Sequence, residues 1–170
     1  LRGSGYKARM RRTGILVDLR FLEHETGPHH PECPERLAVL HDLLTGEEYA
    51  DCARLAPRPA TEEELRGVHS HDHVAAVAAS STRGETWFDA DTPASRGSFA
   101  AARLAAGGAV EMADAIVSGE IENGFAALRP PGHHAEAMRP MGFCLFNNAA
   151  VVARHLVEKR GLPRVLVLDW

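Results

Sequence analysis

GFAALRPPGHHAEAMRPMGFCLFNNAAVVARHLVEKRGLPRVLVLD, residues 124–169, decides the fold. Its opening, GFAALR (124–129), has the composition of a short strand, and its end, RVLVLD (164–169), is a nearly all-apolar run. Between them a proline- and glycine-bearing loop (129–148) leads into AAVVARHLVEKR (149–160). That spacing predicts a helix capped by Asn147 or Asn148 and closed by Gly161. Strand, helix and strand with short connections make a βαβ unit, and a strand apolar on both sides has to be covered by helices on both. The predicted class is α/β. In open sheets of this class ligands bind beyond the carboxyl ends of the strands. The 129–148 loop leaves one such end, and Asp169 stands at the other.

Upstream, TGILVDL (13–19) predicts a buried strand, and EHETGPHHPECPERL (23–37), with three prolines and a glycine, predicts a loop. Pro34 suits the first turn of a helix whose inner face carries Leu37, Leu40 and Leu44. Thr61 with Glu64 forms a capping box, and Ser70 caps the next helix. Residues 81–97 predict an exposed loop. A long alanine-rich helix follows from Ser98 to about Ser118, with Leu104, Gly108, Met112 and Ile116 on one stripe. Gly107 and Gly108 each cost that helix about 1 kcal/mol relative to alanine, so close packing against a neighbour is expected there. Residues 1–12 read as a disordered extension and 13–170 as part of a single domain.

Composition narrows the function. With 19 basic and 23 acidic residues in a chain of 170, the net charge is −4, which excludes nucleic-acid binding through bulk positive charge. Cys33, Cys52 and Cys144 are odd in number and lack a CxxC pair, which fits a reducing cytoplasm better than a disulfide framework. No stretch approaches the roughly 20 apolar residues of a membrane span. Seven of the ten histidines fall in three clusters, His29 with His30, His69 with His71 and His73, and His133 with His134.

The sharpest local signal is RPPGHH (129–134) followed by MGFC (141–144). Two prolines and a glycine fix the backbone path beneath the histidines. Adjacent imidazoles diverge and seldom share an ion, but they suit a general acid/base pair tuned by a carboxylate. Asp169 is the expected partner. The bland alternative is a turn whose histidines bond to backbone. His69 and His73, at i and i+4, could share a metal, although a polar helix start near the surface is the commoner use of such a cluster. His29 and His30 lie in a proline-rich loop that could border the pocket mouth, although a plain loop role is the commoner one for each. Cys144 is expected to be packed, since a nucleophilic role would need a lowered pKa.

RPPGHHAEAMRPMGFCLFNNAAVVARHL…RVLVLDW closely resembles the histone deacetylase superfamily, particularly bacterial acetoin-utilisation proteins and acetylpolyamine amidohydrolases. TGPHHPECPERL, VHSHDHV and DADTPAS extend the likeness from about Thr13 to Trp170. The resemblance implies an arginase-like three-layer fold, a parallel sheet between helices, and zinc-dependent hydrolysis of acetyl-amide bonds. It makes His134 the general base and His133 the electrostatic histidine. Asp169 becomes the aspartate that pairs with the first histidine of the pair and a contributor to a monovalent-cation site that would take K+. Phe143 and Gly142 line the acyl channel, Asp91 is the rim carboxylate that holds substrate, and Arg36 lies beside an internal exit channel. The substrates implied are acetylated lysine or a small acetylated amine such as an acetylpolyamine. The Zn2+ ligands are expected after Trp170, so the 170 residues alone are expected to be inactive. The alternative is a non-catalytic binding or regulatory module. Oligomeric state is not legible.

Overall fold

The computed structural model describes residues 12–169. Of the expected extension, residues 1–11 lie outside the described part, as does Trp170. Arg12 is already tied to the sheet, its carbonyl accepting from the Glu122 N–H.

Three parallel strands form the main sheet, β1 (Thr13–Leu16) at the centre, β2 (Ala53–Arg54) on one side and β5 (Asn123–Ala126) on the other. Thr13 pairs with Asn123 and Leu16 with Ala126. The predicted strand over 13–19 stops at Leu16 because Asp18 caps a 3₁₀ turn, Leu19–Glu23, accepting from both the backbone and the guanidinium of Arg20. Local side-chain capping there outweighs the apolar character of the run.

Helices cover both faces. Gly14 and its partner Gly124 point toward Met112 of α4 (Ser98–Val117), and Leu16 reaches Gly108 on the same helix. Phe125, one residue along, faces the opposite side and shares a groove with Leu37, Val39 and Leu40 of α1 (Pro34–Leu44). Ile15, Leu16, Phe21, Leu37, Leu104 and Met112 belong to one buried cluster. A second cluster joins the outer side of α4 to α2 (Glu62–Arg66), α3 (His71–Arg83) and α5 (Asn148–Glu158), and takes in Leu145 and Phe146 from the 129–148 loop. The architecture is thus the predicted α/β class, a parallel sheet flanked by helices.

Predicted caps form where the sequence places them. The Thr61–Glu64 box closes α2, the Ser70 hydroxyl accepts from His73 N–H, Asn147 accepts from Ala150 N–H, and Gly161 follows α5 at φ +69°. The two helix glycines also find their reason. A Cβ on Gly107 would lie 2.1 Å from the Arg58 carbonyl oxygen, and one on Gly108 would press on Pro57. The segment 57–60 therefore crosses α4 backbone to backbone, with Ala60 N–H donating to Arg103 O.

Two expectations need correction. Residues 81–97 are not a plain loop, since α3 runs to Arg83 and β3 (Thr86–Trp87) pairs antiparallel with β4 (Pro93–Ala94), leaving Asp91 in the turn between them. RVLVLD (164–169) is not a strand. It makes no ladder with β5, and Leu166, Val167 and Leu168 are 88%, 55% and 71% exposed. A two-sided apolar strand is stable only when both faces are covered, and among the described residues one side alone has neighbours, the groove that Val165, Leu166 and Val167 share with Ile116, Leu128 and Val152. No described helix is long and apolar enough to cross a membrane.

Candidate active site

The 129–148 loop leaves β5 at the carboxyl edge of the sheet and is fixed at its base by a buried ion pair. Arg129, 2% exposed, donates from Nε to Glu32 Oε1 at 2.7 Å and from Nη1 to the carbonyls of Phe21 and His24. His24 is buried beside them, with Nδ1 2.6 Å from Ser98 Oγ and Nε2 3.6 Å from Glu32 Oε2. Burial, then the Arg129 charge, pushes its pKa down to about 3. Gly132 follows because a side chain there would collide with Asn148. The Gly132 carbonyl accepts from Ala149 N–H, in the first turn of α5.

His133 and His134 stand exposed above this base, their rings edge to face with centroids 4.1 Å apart. His133 Nδ1 lies 3.3 Å from Asp169 Oδ2, so the carboxylate meets the imidazole without the strand expected to carry it. Beneath them Cys144 is buried, its sulfur 3.5 Å from the N–H groups of both His133 and His134. Burial raises the thiol's pKa, so Cys144 is a packed support, as expected, and not a nucleophile.

Gly142 (φ +58°) and Phe143 (φ +66°) turn the chain back across the histidines. A side chain on Gly142 would strike the His134 imidazole. Phe143 N–H donates to the buried Thr92 hydroxyl at 3.1 Å, and the His30 ring stands 4.9 Å from the Phe143 ring, edge on. His30 Nδ1 accepts from Glu32 N–H, which leaves Nε2–H to donate to the Asp91 carbonyl at 3.1 Å. Asp91 itself is exposed. His133, His134, Asp169, Gly142, Phe143 and Asp91 are thereby linked by one run of contacts, with Thr92 and His30 joining Phe143 to the Asp91 turn. Arg36 stands apart, in the α1-side groove lined also by Glu32, Arg129 and Pro131.

The HSHDH cluster is the expected helix start, with Ser70 capping α3 and His71 and Asp72 exposed, but His69 and His73 turn inward and are not placed as a metal site. Among the described residues no group of three His, Cys, Asp or Glu is placed to hold an ion. His69 and His73 are buried, and both ring nitrogens of His69 and Nε2 of His73 bond to the backbone of the 129–148 loop. Burial and the neighbouring His73 push the pKa of His69 down to about 4. Sequence reasoning missed Glu32, Arg129 and His24 altogether. Their burial is set by contacts between segments far apart in the chain, so the polar stretch EHETGPHHPECPER gave no sign of it.

These buried neutral imidazoles carry a pH prediction. His24 and His69 take up protons near pH 6.5 when unfolded but only near 3 and 4 when folded, so the unfolded state binds more protons throughout that window. Stability is therefore complete above pH 6.5 and is lost as the pH falls. His24 alone should remove about 2 kcal/mol by pH 5. Urea unfolding midpoints at pH 7.5 and 5 check this, and equal midpoints would contradict it.

A family model described as "Histone deacetylase domain" matches residues 30–170. "Histone deacetylase 5" of Arabidopsis thaliana is 40% identical over 176 residues, covering 95% of this chain and 26% of that protein. A "Probable deacetylase" of Archaeoglobus fulgidus is 41% identical over 161 residues, covering 93% and 44%. "Polyamine deacetylase HDAC10" of Homo sapiens is 41% identical over 155 residues, covering 82% and 23%. The crystal structure of the HDA15 HD domain matches with a TM-score of 0.81 at 39% identity, covering 89% of this chain and 44% of that one. The chain thus spans less than half the length of each of these relatives.

Proposed function

The chain belongs to the histone deacetylase family, and we propose on that basis that the protein hydrolyses acetyl-amide bonds on lysine side chains or small acetylated amines. The observation that carries this is the exposed His133–His134 pair, with Asp169 at 3.3 Å from the first imidazole and Gly142 packed against the second. Amide hydrolysis needs a base for the attacking water and an acid for the leaving nitrogen. His134 takes the proton of the water as its oxygen bonds to the acetyl carbon, and returns it to the nitrogen as the C–N bond breaks. His133, oriented by Asp169, serves the developing oxyanion as the electrostatic partner. Phe143 packs along the alkyl chain that carries the acetyl group, and Asp91 meets the backbone or free amine of the substrate at the rim.

Zinc dependence belongs to this proposal with a restriction. The described residues do not assemble an ion's ligand set, so the Zn2+ that we propose takes its ligands from outside residues 12–169. Asp169 is proposed to share in a monovalent-cation site, with K+ as the candidate ion. The three free cysteines support a reducing, cytoplasmic setting. The test uses the protein made from the complete reading frame that encodes this chain, incubated with an acetyl-lysine peptide and with an acetylated diamine. Acetate release from at least one, abolished by a chelator, is expected, whereas the 170 residues alone should release none. No release from either substrate by the complete protein would sink the proposal and favour a non-catalytic binding module.

A further inference from the structure

The VHSHDHV motif has no part in the chemistry above, yet it holds the loop on which that chemistry depends. His69 Nε2 accepts from the Asn147 N–H at 2.9 Å, which leaves Nδ1–H to donate to the Glu136 carbonyl, also at 2.9 Å. Ser70 N–H donates to the Ala137 carbonyl at 2.8 Å, and His73 Nε2 lies 2.7 Å from the Leu145 carbonyl. Four bonds from residues 69–73 therefore reach both limbs of the 129–148 loop. His69 alone spans them, gripping Glu136, two residues past His134, and Asn147 at the start of α5. Asn147 extends the grip, its Nδ2 donating to the carbonyls of His133 and Ala135 at 3.1 and 3.0 Å. The His69 ring is 3% exposed and packs 4.2 Å from the His73 ring and 5.5 Å from Phe146. Its hydrogen bonds and ring contacts go to Glu136, Asn147, His73 and Phe146 and not to His133, His134, Gly142, Phe143 or Asp91.

We propose that His69 is a positioning residue for the deacetylation reaction, setting the place of His133 and His134 through Asn147 and Glu136. This rests on the deacetylase function proposed above. Only a neutral imidazole can donate from one nitrogen while accepting at the other, and the two bonded carriers face each other across the loop. Without that brace the loop keeps its base at Arg129 and its sulfur support at Cys144, so substrate still binds. The histidines, however, are no longer held at the reacting carbon, and small misplacements of catalytic groups are costly in rate.

Three variants in the complete protein separate positioning from general stability. His69→Leu fills the site with neither hydrogen-bonding group, His69→Gln returns an acceptor for Asn147 N–H, and His69→Asn returns a donor near Glu136. In His69→Leu, kcat is expected to fall about 100-fold with KM within about twofold of wild type. The Gln and Asn variants should each recover part of the loss at equal thermal stability. Hydrogen exchange on the same proteins supplies a readout independent of turnover. The amides of Asn147, His133 and His134 should exchange about tenfold faster in His69→Leu, while Val110 in the middle of α4 is unchanged. An unchanged kcat, a loss shared equally with KM, or unaltered exchange at Asn147 would each overturn the proposal. If even the wild-type protein releases no acetate, the proposed function fails, and the exchange measurement alone decides whether His69 braces the loop.

Discussion

Replacing His134 with alanine in the complete protein is expected to lower kcat by about 10³-fold or more, toward the upper range for loss of a general base. The size of the effect follows from the surroundings. His134 is exposed, Gly142 is packed against its ring, and its backbone is held by the Cys144 sulfur, so truncation removes an imidazole without removing its support. No other described base is so placed. His133 is committed to Asp169, His30 to Asp91 and Glu32, and His69 to the loop backbone. Metal content should be unaffected, because His134 is assigned no ligand role. The exposed His71, replaced in the same way, is the control and should leave turnover unchanged. Parallel measurement of kcat and bound zinc checks the prediction. A turnover number unchanged by His134→Ala would remove that residue from the mechanism.

The second large effect is on stability. Glu32→Leu leaves the Arg129 guanidinium buried with only backbone carbonyls for partners, and Arg129→Leu leaves the Glu32 carboxylate buried with the His24 imidazole, 3.6 Å from Oε2, beside it. Breaking a buried pair from one side typically costs about 3–5 kcal/mol, because the remaining charge has lost both water and its counter-ion. The double variant, which removes both charges and fills the space, should be less destabilised than the more damaged single one. This pair joins the loop holding His30 to the loop holding His133 across 97 residues of sequence. Both single variants should therefore also loosen the pocket mouth. Chemical denaturation of the four proteins tests the cycle. Single variants as stable as wild type would show that the ion pair is not what fixes the base of the loop.

Local signals and distant ones were unequally legible in the sequence. Pro34 at a helix start, the Thr61–Glu64 box, the Ser70 and Asn147 caps and the glycine at 161 each act within a turn of chain, and each appears where sequence patterning places it. The long helix was equally plain, and its two glycines correctly foretold a close crossing. RVLVLD failed as a strand because its structure depends on neighbours, and periodicity cannot supply them. Of the candidate site, RPPGHH and GFC named the histidines and the glycine that the structure brings together, His133, His134 and Gly142. Their bracing could not be read. Glu32 and His69 each act on residues 67 to 97 positions away, and nothing in a stretch such as HSHDH distinguishes an imidazole that binds a metal from one that grips a loop.

The most direct measurement is a crystal structure of the complete protein, as its His134→Ala variant, with an uncleaved acetyl-lysine peptide bound. The acetyl carbonyl is predicted to lie beside His133 and above the truncated position 134, with the lysine chain along Phe143 and the peptide backbone near Asp91. An acetyl group seated elsewhere, with His133 and Asp169 out of reach of the carbonyl, would contradict the assignment of this loop as the site of hydrolysis.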